Sequence, residues 1–450
     1  MAMIKPLSPE ALVYGFTPAS DPQVSPDGRR VLYTLAAVNR ETKKSSSHVW
    51  LCDIDGANKR RLTFSGESNR GARWSPDGSR IAFISDRVPT NGIFEIAVDG
   101  GEAREVNRQN QSIGDLAWSL DGTCIAFTSS FDPANPEGEK PKEGAAAPVR
   151  VTSRLDYKQD NRGYLGDARS QVYIVDVASG ETGFLSTELV DHAFPQWSPD
   201  GRWVAASRLT TNGMRSQLEL IPLDGSASTL IGPEEGNVGT WAFSPDGARI
   251  VFTGDTKQTS QTDFFVYTLA SGDLRRVTTD LQCLPAAGFP TLEAPSHPAW
   301  LDDSRVMFHA VRGGAGGIYV IELESGAVEQ IEGSTSLRSG FSTDTAHRYV
   351  AQGMASLDAV GEILVFDRQT GKSAQITEYS APVLAETPTA KWERFDISRG
   401  GYVIESWLLF PPGFDASRKY PLVLDIHGGP NGFYGYGFVP MQQVLATNGF

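Results

Sequence analysis

The sequence predicts an all-β seven-bladed propeller followed by the first strands of an α/β domain. Three observations predict it. One turn-and-strand phrase recurs seven times along the chain. A second, hairpin-like phrase follows each copy. After about residue 386 the pattern changes to apolar strand, glycine-rich loop and helix.

The first phrase reads VSPDGRRVLYTL from Val24, WSPDGSRIAFIS from Trp74, WSLDGTCIAFTS from Trp118, WSPDGRWVAASR from Trp197 and FSPDGARIVFTG from Phe243. Two degenerate copies follow, WLDDSRVMFHAV from Trp300 and FSTDTAHRYVAQ from Phe341. Ser-Pro-Asp-Gly fits a type I turn, with Pro presetting φ at the second position and Gly at the fourth. The seven turns are expected to begin at Ser25, Ser75, Ser119, Ser198, Ser244, Leu301 and Ser342. The apolar run after each turn suits a half-buried or buried strand. The aromatic before each turn is expected to pack between neighbouring units.

The second phrase is an apolar strand, a glycine turn and another strand, as in VWLCDIDGANKRRLT or IYVIELESGAVEQI. Two hairpin phrases make four strands per repeat, and most repeats have the length of one propeller blade. A sandwich or barrel is the competing architecture, and the fixed two-phrase period argues against it. The expected division is a propeller over residues 1–385 and an incomplete α/β domain over 386–450. The one long gap, between Ser119 and Ser198, holds an insert at about 131–170. Its first half, FDPANPEGEKPKEGAAAP, reads as a surface loop. Its second half is basic and carries Tyr157 and Tyr164. Arg150 and Arg154 are candidates to meet a substrate carboxylate there, against the plainer reading of a solvated insert between blades.

The propeller is expected to end near Thr377, with Tyr379–Pro388 as a linker. KWERFDIS and YVIESWLLF then read as two extended segments around Ser398-Arg399-Gly400-Gly401. PPGFDASRKYP reads as a loop, and PLVLDIHGG as an apolar strand ending at His427. MQQVLATNGF reads as a helix stopping at Asn448-Gly449.

Composition narrows the function classes. The 450 residues carry a net charge of −14, which repels polyanions, so no nucleic-acid or membrane partner is expected. The 46 Gly and 27 Pro suit many turns and short strands. Cys52, Cys124 and Cys283 are three widely spaced residues with no disulfide framework or metal-ligand spacing, and read as buried thiols. No apolar core of a signal peptide and no membrane-spanning run is visible, so the expected location is cytoplasmic.

Chemistry is expected at IHGGPNGFYGYGF, residues 426–438. Gly-Gly between strand and helix is also a phosphate-cradle layout, but no GxGxxG or Walker pattern is present. His-Gly-Gly at the carboxyl end of a buried strand matches the oxyanion loop of α/β-hydrolases, related to their HGGG-type motif. Glycines let bare backbone N–H groups face a developing oxyanion. One such donor supplies about 3–4 kcal/mol of transition-state stabilisation.

With the seven SPDG-type blades followed by YPLVLDIHGGP and FVPMQQVLATNGF, the chain resembles the prolyl oligopeptidase family of serine peptidases, within it the acylaminoacyl-peptidase-like branch. The resemblance covers nearly the whole chain. The SPDG repeats alone are shared with non-enzymatic TolB-like propellers. The resemblance implies a seven-bladed propeller capping an α/β-hydrolase domain, with the active site in the cavity between and the cap admitting short peptides. Carried over by motif, Gly428 and Gly429 form the oxyanion loop, Gly429 being the first candidate for the donating N–H. His427 shapes the loop and is not the catalytic base. His48, His192, His297, His309 and His347 match no motif and are expected to be structural.

The sequence departs from the family pattern in one large respect. It contains no G-x-S-x-G; the nearest look-alike, Gly66-Glu67-Ser68-Asn69-Arg70, lacks the second Gly and follows a propeller strand. In the family the nucleophile elbow, the Asp and the catalytic His follow the HGGP loop. The expectation is therefore that the triad is not in this chain and comes from residues after Phe450 or from a C-terminal catalytic fragment; a homo-oligomer is also compatible. The implied activity is a serine peptidase acting on short peptides, without metal or organic cofactor. An esterase or acyl hydrolase of the same fold, and a non-catalytic propeller that binds partners, are the alternatives.

Overall fold

The computed structural model of the chain describes residues 5–88, 90–139, 151, 157–159, 163–186, 188–210, 215–259, 261–285, 296–387, 389–428 and 432–450. Seven four-stranded antiparallel sheets follow one another along it, each built of strands contiguous in sequence apart from the insert in the third. The first strand of each blade is the innermost: Ala19–Val24, Asn69–Trp74, Ile113–Trp118, Asp191–Trp197, Val238–Phe243, Ala299–Trp300 and Leu337–Thr343. These inner strands surround the axis, and the first blade meets the seventh.

The SPDG phrase folds as its chemistry requires. In blade 2, Gly78 N–H donates to the Ser75 carbonyl at 2.9 Å, closing the turn. The Ser75 hydroxyl donates to Asp77 at 2.5 Å and accepts from Arg80 N–H at 2.9 Å. The same pattern recurs at Ser25, Ser119, Ser198 and Ser244. The glycine takes a φ of about +70° in each of them, a conformation that a Cβ disfavours. The seventh turn corrects the sequence expectation, because it begins at Asp344 and not at Ser342. Asp344 accepts from Tyr349 N–H at 2.6 Å, as the serines do elsewhere, and His347 occupies the glycine position at φ 53°. A carboxylate does the work of the hydroxyl, which the SPDG pattern does not reveal.

The core lies between blades rather than within them. Each of the seven seams has its own apolar cluster drawn from the two blades that flank it. The strand Arg80–Ser85 shows why its apolar residues run together: Ile81 and Phe83 face blade 1, while Ala82 and Ile84 face blade 3. Both faces are buried, so the period-2 alternation disappears. The aromatics before the turns do pack between units. Trp74, Trp118, Trp197 and Trp300 each donate an indole N–H to a backbone carbonyl of the preceding blade, at 3.0–3.2 Å. At three seams an outer-strand arginine (Arg60, Arg104 or Arg275) adds a bond to the next blade's backbone.

Among the described residues no strand is exchanged between the first and last blades. They are joined by the cluster around Tyr33, Ala351 and Ile363, by Val24 N–H on the Ser342 hydroxyl at 2.8 Å, and by Thr345 N–H on the Pro26 carbonyl at 3.1 Å. The insert emerges between the second and third strands of blade 3, Cys124–Phe131 and Arg169–Asp176. It includes a short hairpin, Lys158–Gln159 with Gly163–Tyr164, on which the Tyr157 and Tyr164 rings lie 6.2 Å apart. Arg150 and Arg154 lie outside the described residues.

Among the described residues three helices lie off the propeller: α1 (Pro9–Gly15), α2 (Ala381–Glu386) and α3 (Pro440–Thr447). The expected linker is thus helical in its middle. Pro382 sits in the first turn, where its missing N–H costs nothing. No described helix is long and apolar enough to cross a membrane.

Candidate active site

The segment after the propeller is assembled from two local pieces. Lys391–Arg399 and Tyr402–Phe410 pair in continuous antiparallel register. Gly400 and Gly401 both have positive φ, 60° and 83°, as a two-residue type I′ turn demands. Helix α3 starts on Pro440 and ends before Asn448-Gly449, as its sequence predicts. Its Gln443 is fully buried and joins three parts of the chain. The side chain accepts from Ala390 N–H at 3.0 Å and donates to the Leu357 carbonyl, in a blade 7 hairpin turn, at 2.8 Å. The amino-terminal segment docks here as well. Leu7 N–H donates to the Thr447 hydroxyl at 3.0 Å, and Leu7, Phe16 and Phe438 form one apolar cluster.

The glycines and aromatics of the 426–438 stretch find their reason at the propeller surface. Tyr436 N–H donates to the Gly314 carbonyl at 2.9 Å, in the turn between the second and third strands of blade 6. A Cβ on Gly435 would overlap that same carbonyl, and one on Gly437 would overlap Leu337 of blade 7. Between these glycines the Tyr436 ring packs edge-on against Trp392 and Trp407, at 5.6 and 5.4 Å. Gly435, Gly437 and the Gly313-Gly314 turn are therefore positioning residues that motif reading missed. The alternation Gly-Phe-Tyr-Gly-Tyr-Gly-Phe was the available signal, since close backbone approach requires glycine.

Of the proposed oxyanion loop, His427 and Gly428 are described; Gly429 lies outside the described residues. His427 is exposed, bonds through Nδ1 to the Gly428 carbonyl at 3.0 Å and meets the Tyr434 ring edge-on at 6.2 Å. A Cβ on Gly428 would meet none of the described residues within 4 Å. A Cβ on Gly432 would overlap the Gly428 carbonyl oxygen, so the loop folds back on itself only with glycine there. Below it, Asp425 accepts from Gln442 of α3 at 3.0 Å and holds the Tyr434 phenol. Partial burial, together with that carboxylate, raises the Tyr434 pKa.

One expectation is corrected here. Pro421–His427 is not a strand: it pairs with nothing among the described residues, and Leu422, Leu424 and Ile426 are 79%, 81% and 73% exposed. A buried parallel strand needs neighbours on both edges and cover on both faces. None of the described residues supplies them. The remaining five histidines sit in or beside the propeller blades. His192 is buried against Glu219 at 2.9 Å, His48 contacts Arg61 and Asn69, and burial holds His297 and His309 down to about 4.

Comparison with known proteins places this fold beside peptidases. Residues 13–136 match the model of the TolB beta propeller domain. The chain is 29% identical, over 96% of its length, to the uncharacterized peptidase YuxL of Bacillus subtilis, of which it covers 68%. It is 24% identical to dipeptidyl-peptidase 5 of Porphyromonas gingivalis, over 94% of this chain and 63% of that one. Its fold superposes on Pyrococcus horikoshii acylaminoacyl peptidase with a TM-score of 0.75 at 19% identity, covering 98% of this chain and 65% of that one. The chain is similar in sequence to proteins named as peptidases and in fold to acylaminoacyl peptidase. It spans about two thirds of the length of these relatives. It has the expected seven-bladed propeller, and the segment Gly435–Phe438 that follows in sequence lies against blades 6 and 7.

Proposed function

We propose that this chain forms the propeller and the oxyanion half of a serine peptidase that cleaves short peptides, of the oligopeptidase or acylaminoacyl-peptidase type. The observation that carries the reading is the HGGP motif, followed by the segment Gly435–Phe438 docked onto blades 6 and 7. The relatives named as peptidases support it along almost the full length of this chain.

In this reading residues 1–385 are the propeller, with its insert at about 131–170, and residues 386–450 open the hydrolase domain. Leu7–Phe16 then acts as a tether between them. Backbone N–H groups at Gly428 and Gly429 receive the oxyanion of the tetrahedral intermediate, and His427 shapes the loop through its bond to Gly428. Serine nucleophile, histidine base and orienting aspartate come from hydrolase residues other than these. The exposed faces of Leu422, Leu424 and Ile426 are where the rest of a parallel sheet would pack. Arg150 and Arg154 remain candidates for a substrate carboxylate. The protein works in the cytoplasm, without metal or organic cofactor, on peptide substrates and with no nucleic-acid or membrane partner.

Labelling with a fluorophosphonate probe followed by intact mass spectrometry tests this. The full-length protein is expected to take up one probe, on a serine outside residues 1–450, and to hydrolyse N-blocked peptide anilides. Absence of both label and turnover would leave a binding propeller in place of an enzyme.

A further inference from the structure

Blade 3 departs from the repeat at one level, and every departure falls at its seam with blade 4. In blade 2 the same level is filled. Arg80, five residues after the turn serine, lays its guanidinium over the Trp118 ring of blade 3, 5.1 Å from the centroid. It also donates to the Gly122 carbonyl, in the blade 3 turn, at 3.1 Å. Glu95 on the third strand accepts from Arg80 at 3.1 Å and from Arg104 on the fourth strand at 2.8 and 2.9 Å. Blade 5 repeats the cation on the ring, with Arg249 over Trp300 at 4.9 Å and Asp303 of the blade 6 turn 4.0 Å from the guanidinium. The turn prolines Pro26, Pro76 and Pro199 each pack on the turn glycine of the following blade, at Gly78, Gly122 and Gly247.

Blade 3 has none of these groups. Strand register puts Cys124 where Arg80 stands, Ile174 where Glu95 stands and Gly183 where Arg104 stands. Leu120 takes the place of the turn proline and is 59% exposed. A Cβ on Gly201, in the blade 4 turn, would meet none of the described residues within 4 Å. What the missing side chains leave is a cleft of about 550 Å³, whose walls include Cys124, Ile174, Gly183, Leu185, Trp197 and Gly201. Asp121 and Asp200 line it as well. The Trp197 N–H is taken by the Ala117 carbonyl at 3.0 Å, so the ring is what this residue offers the cleft.

We propose that this cleft binds an alkylguanidinium cation, which takes the place of the arginine that blade 3 lacks. The guanidinium lies on the Trp197 ring and donates to the Gly201 carbonyl, as Arg80 does on Trp118 and Gly122. The alkyl stem runs along Ile174 and Leu185, where an apolar chain is desolvated at little cost. The two aspartates select the sign of the charge. Asp121 accepts from Ser119 and Thr123, and Asp200 pairs with Arg202 at 2.6 Å. The chain as a whole carries −14, which draws cations to it. The volume lies within the range of about 300–1,000 Å³ in which small-molecule sites fall. A free alkylguanidinium and an arginine side chain on a polypeptide share this chemistry. The turns that open each blade and the Gly313-Gly314 turn lie at opposite ends of an antiparallel blade, so the cleft is remote from residues 426–438. The inference therefore does not depend on the peptidase reading.

The test titrates the full-length protein with n-butylguanidinium, followed by saturation-transfer NMR on the ligand, with n-butylurea as the neutral isostere. Saturable binding of the cation is expected, at least about tenfold tighter than the urea. Cys124→Arg supplies the missing guanidinium from within and is expected to weaken binding at least about tenfold. No saturation by the cation, equal binding of the urea, or unchanged binding in Cys124→Arg would each overturn the proposal. A second measurement needs no variant. Alkylation of Cys124 by N-ethylmaleimide, read by peptide mass mapping, is expected to slow as n-butylguanidinium saturates, while Cys283 keeps its rate. Equal rates at Cys124 with and without the cation would overturn the proposal even if Cys124→Arg does not fold. N-acetyl-arginine methylamide separates the two sources. Its binding at least as tightly as n-butylguanidinium assigns the site to an arginine on a polypeptide, and binding of n-butylguanidinium alone assigns it to a free cation.

Discussion

Gly432 lies where the loop turns back beneath Gly428, and a backbone oxygen stands where its side chain would be. Gly432→Ala would push the Gly428 carbonyl aside and tilt the peptide plane that carries the next N–H. On the proposed oxyanion reading, kcat of the full-length protein is expected to fall about 10–100-fold with KM little changed, because the interaction lost would be one made in the transition state. Steady-state kinetics, with the unfolding midpoint as a control, checks this. The aspartates of the SPDG turns act at the same scale. The hydroxyls of Ser75 and Ser79 and the Ser79 N–H hold the Asp77 carboxyl down to about 2, and Ser119 and Ser244 lower Asp121 and Asp246 in the same way. A carboxyl whose folded pKa lies below its unfolded value stabilises the fold above the unfolded value, about 4. That contribution is lost as pH falls towards 2. Thermal midpoints measured from pH 5 to pH 2 are expected to fall most steeply below pH 4, and Asp77→Asn is expected to flatten the profile.

Helix α3 is short, and its own propensity would not keep it folded. Tertiary contacts keep it, among them one buried amide that spans the linker and the blade 7 turn. Gln443→Ala leaves the Ala390 N–H and the Leu357 carbonyl unpaired in a dry environment. The expected cost is about 2–6 kcal/mol, from two buried groups at about 1–3 kcal/mol each. Denaturant unfolding should show it as a lower midpoint. Gln443→Glu is expected to recover part of the loss, because it keeps the acceptor for Ala390 and loses only the donor. The hairpin Lys391–Phe410 belongs to this scale too. Its two-glycine turn sets its register locally, yet Tyr402, Val403 and Ile404 remain largely exposed.

At the scale of the molecule, a ring of seven seams, each with its own apolar cluster, has no core that belongs to one blade. A blade cut out of the ring would expose both faces, so the ring is expected to unfold cooperatively or seam by seam, never blade by blade. The seam between blades 1 and 7 differs from a closure made by strand exchange, because every strand on each side pairs within its own blade. Ser342→Ala removes the partner of Val24 N–H across that seam. Hydrogen exchange is expected to speed up over Ala19–Val24 and Leu337–Thr343 while the inner strands of blades 3–5 keep their protection. Uniform loss of protection around the ring would show that the seam is no weaker than the others.

The repeat was legible because its turn chemistry is local. Ser, Pro, Asp and Gly each satisfy a dihedral or a hydrogen bond within five residues, and the strands that follow need only be apolar. The same locality explains the I′ hairpin at Gly400-Gly401 and the stop of α3. The seventh turn was misplaced for a related reason: Asp344 and His347 perform the local roles with other side chains. Contacts between distant segments left weaker traces. Pro421–His427 has the composition of a buried strand, but a parallel strand exists only through its neighbours, and none pairs with it here. Gly435 and Gly437 are glycines because propeller atoms some hundred residues away in sequence crowd them. The edge-on meeting of Phe194 with His297 depends on blades 4, 5 and 6 having come together. Sequence thus decided turns, strands and their repetition, where the forces act within a few residues. The tertiary structure alone decided which backbones approach closely and which rings meet, since those forces act only after distant segments have come together.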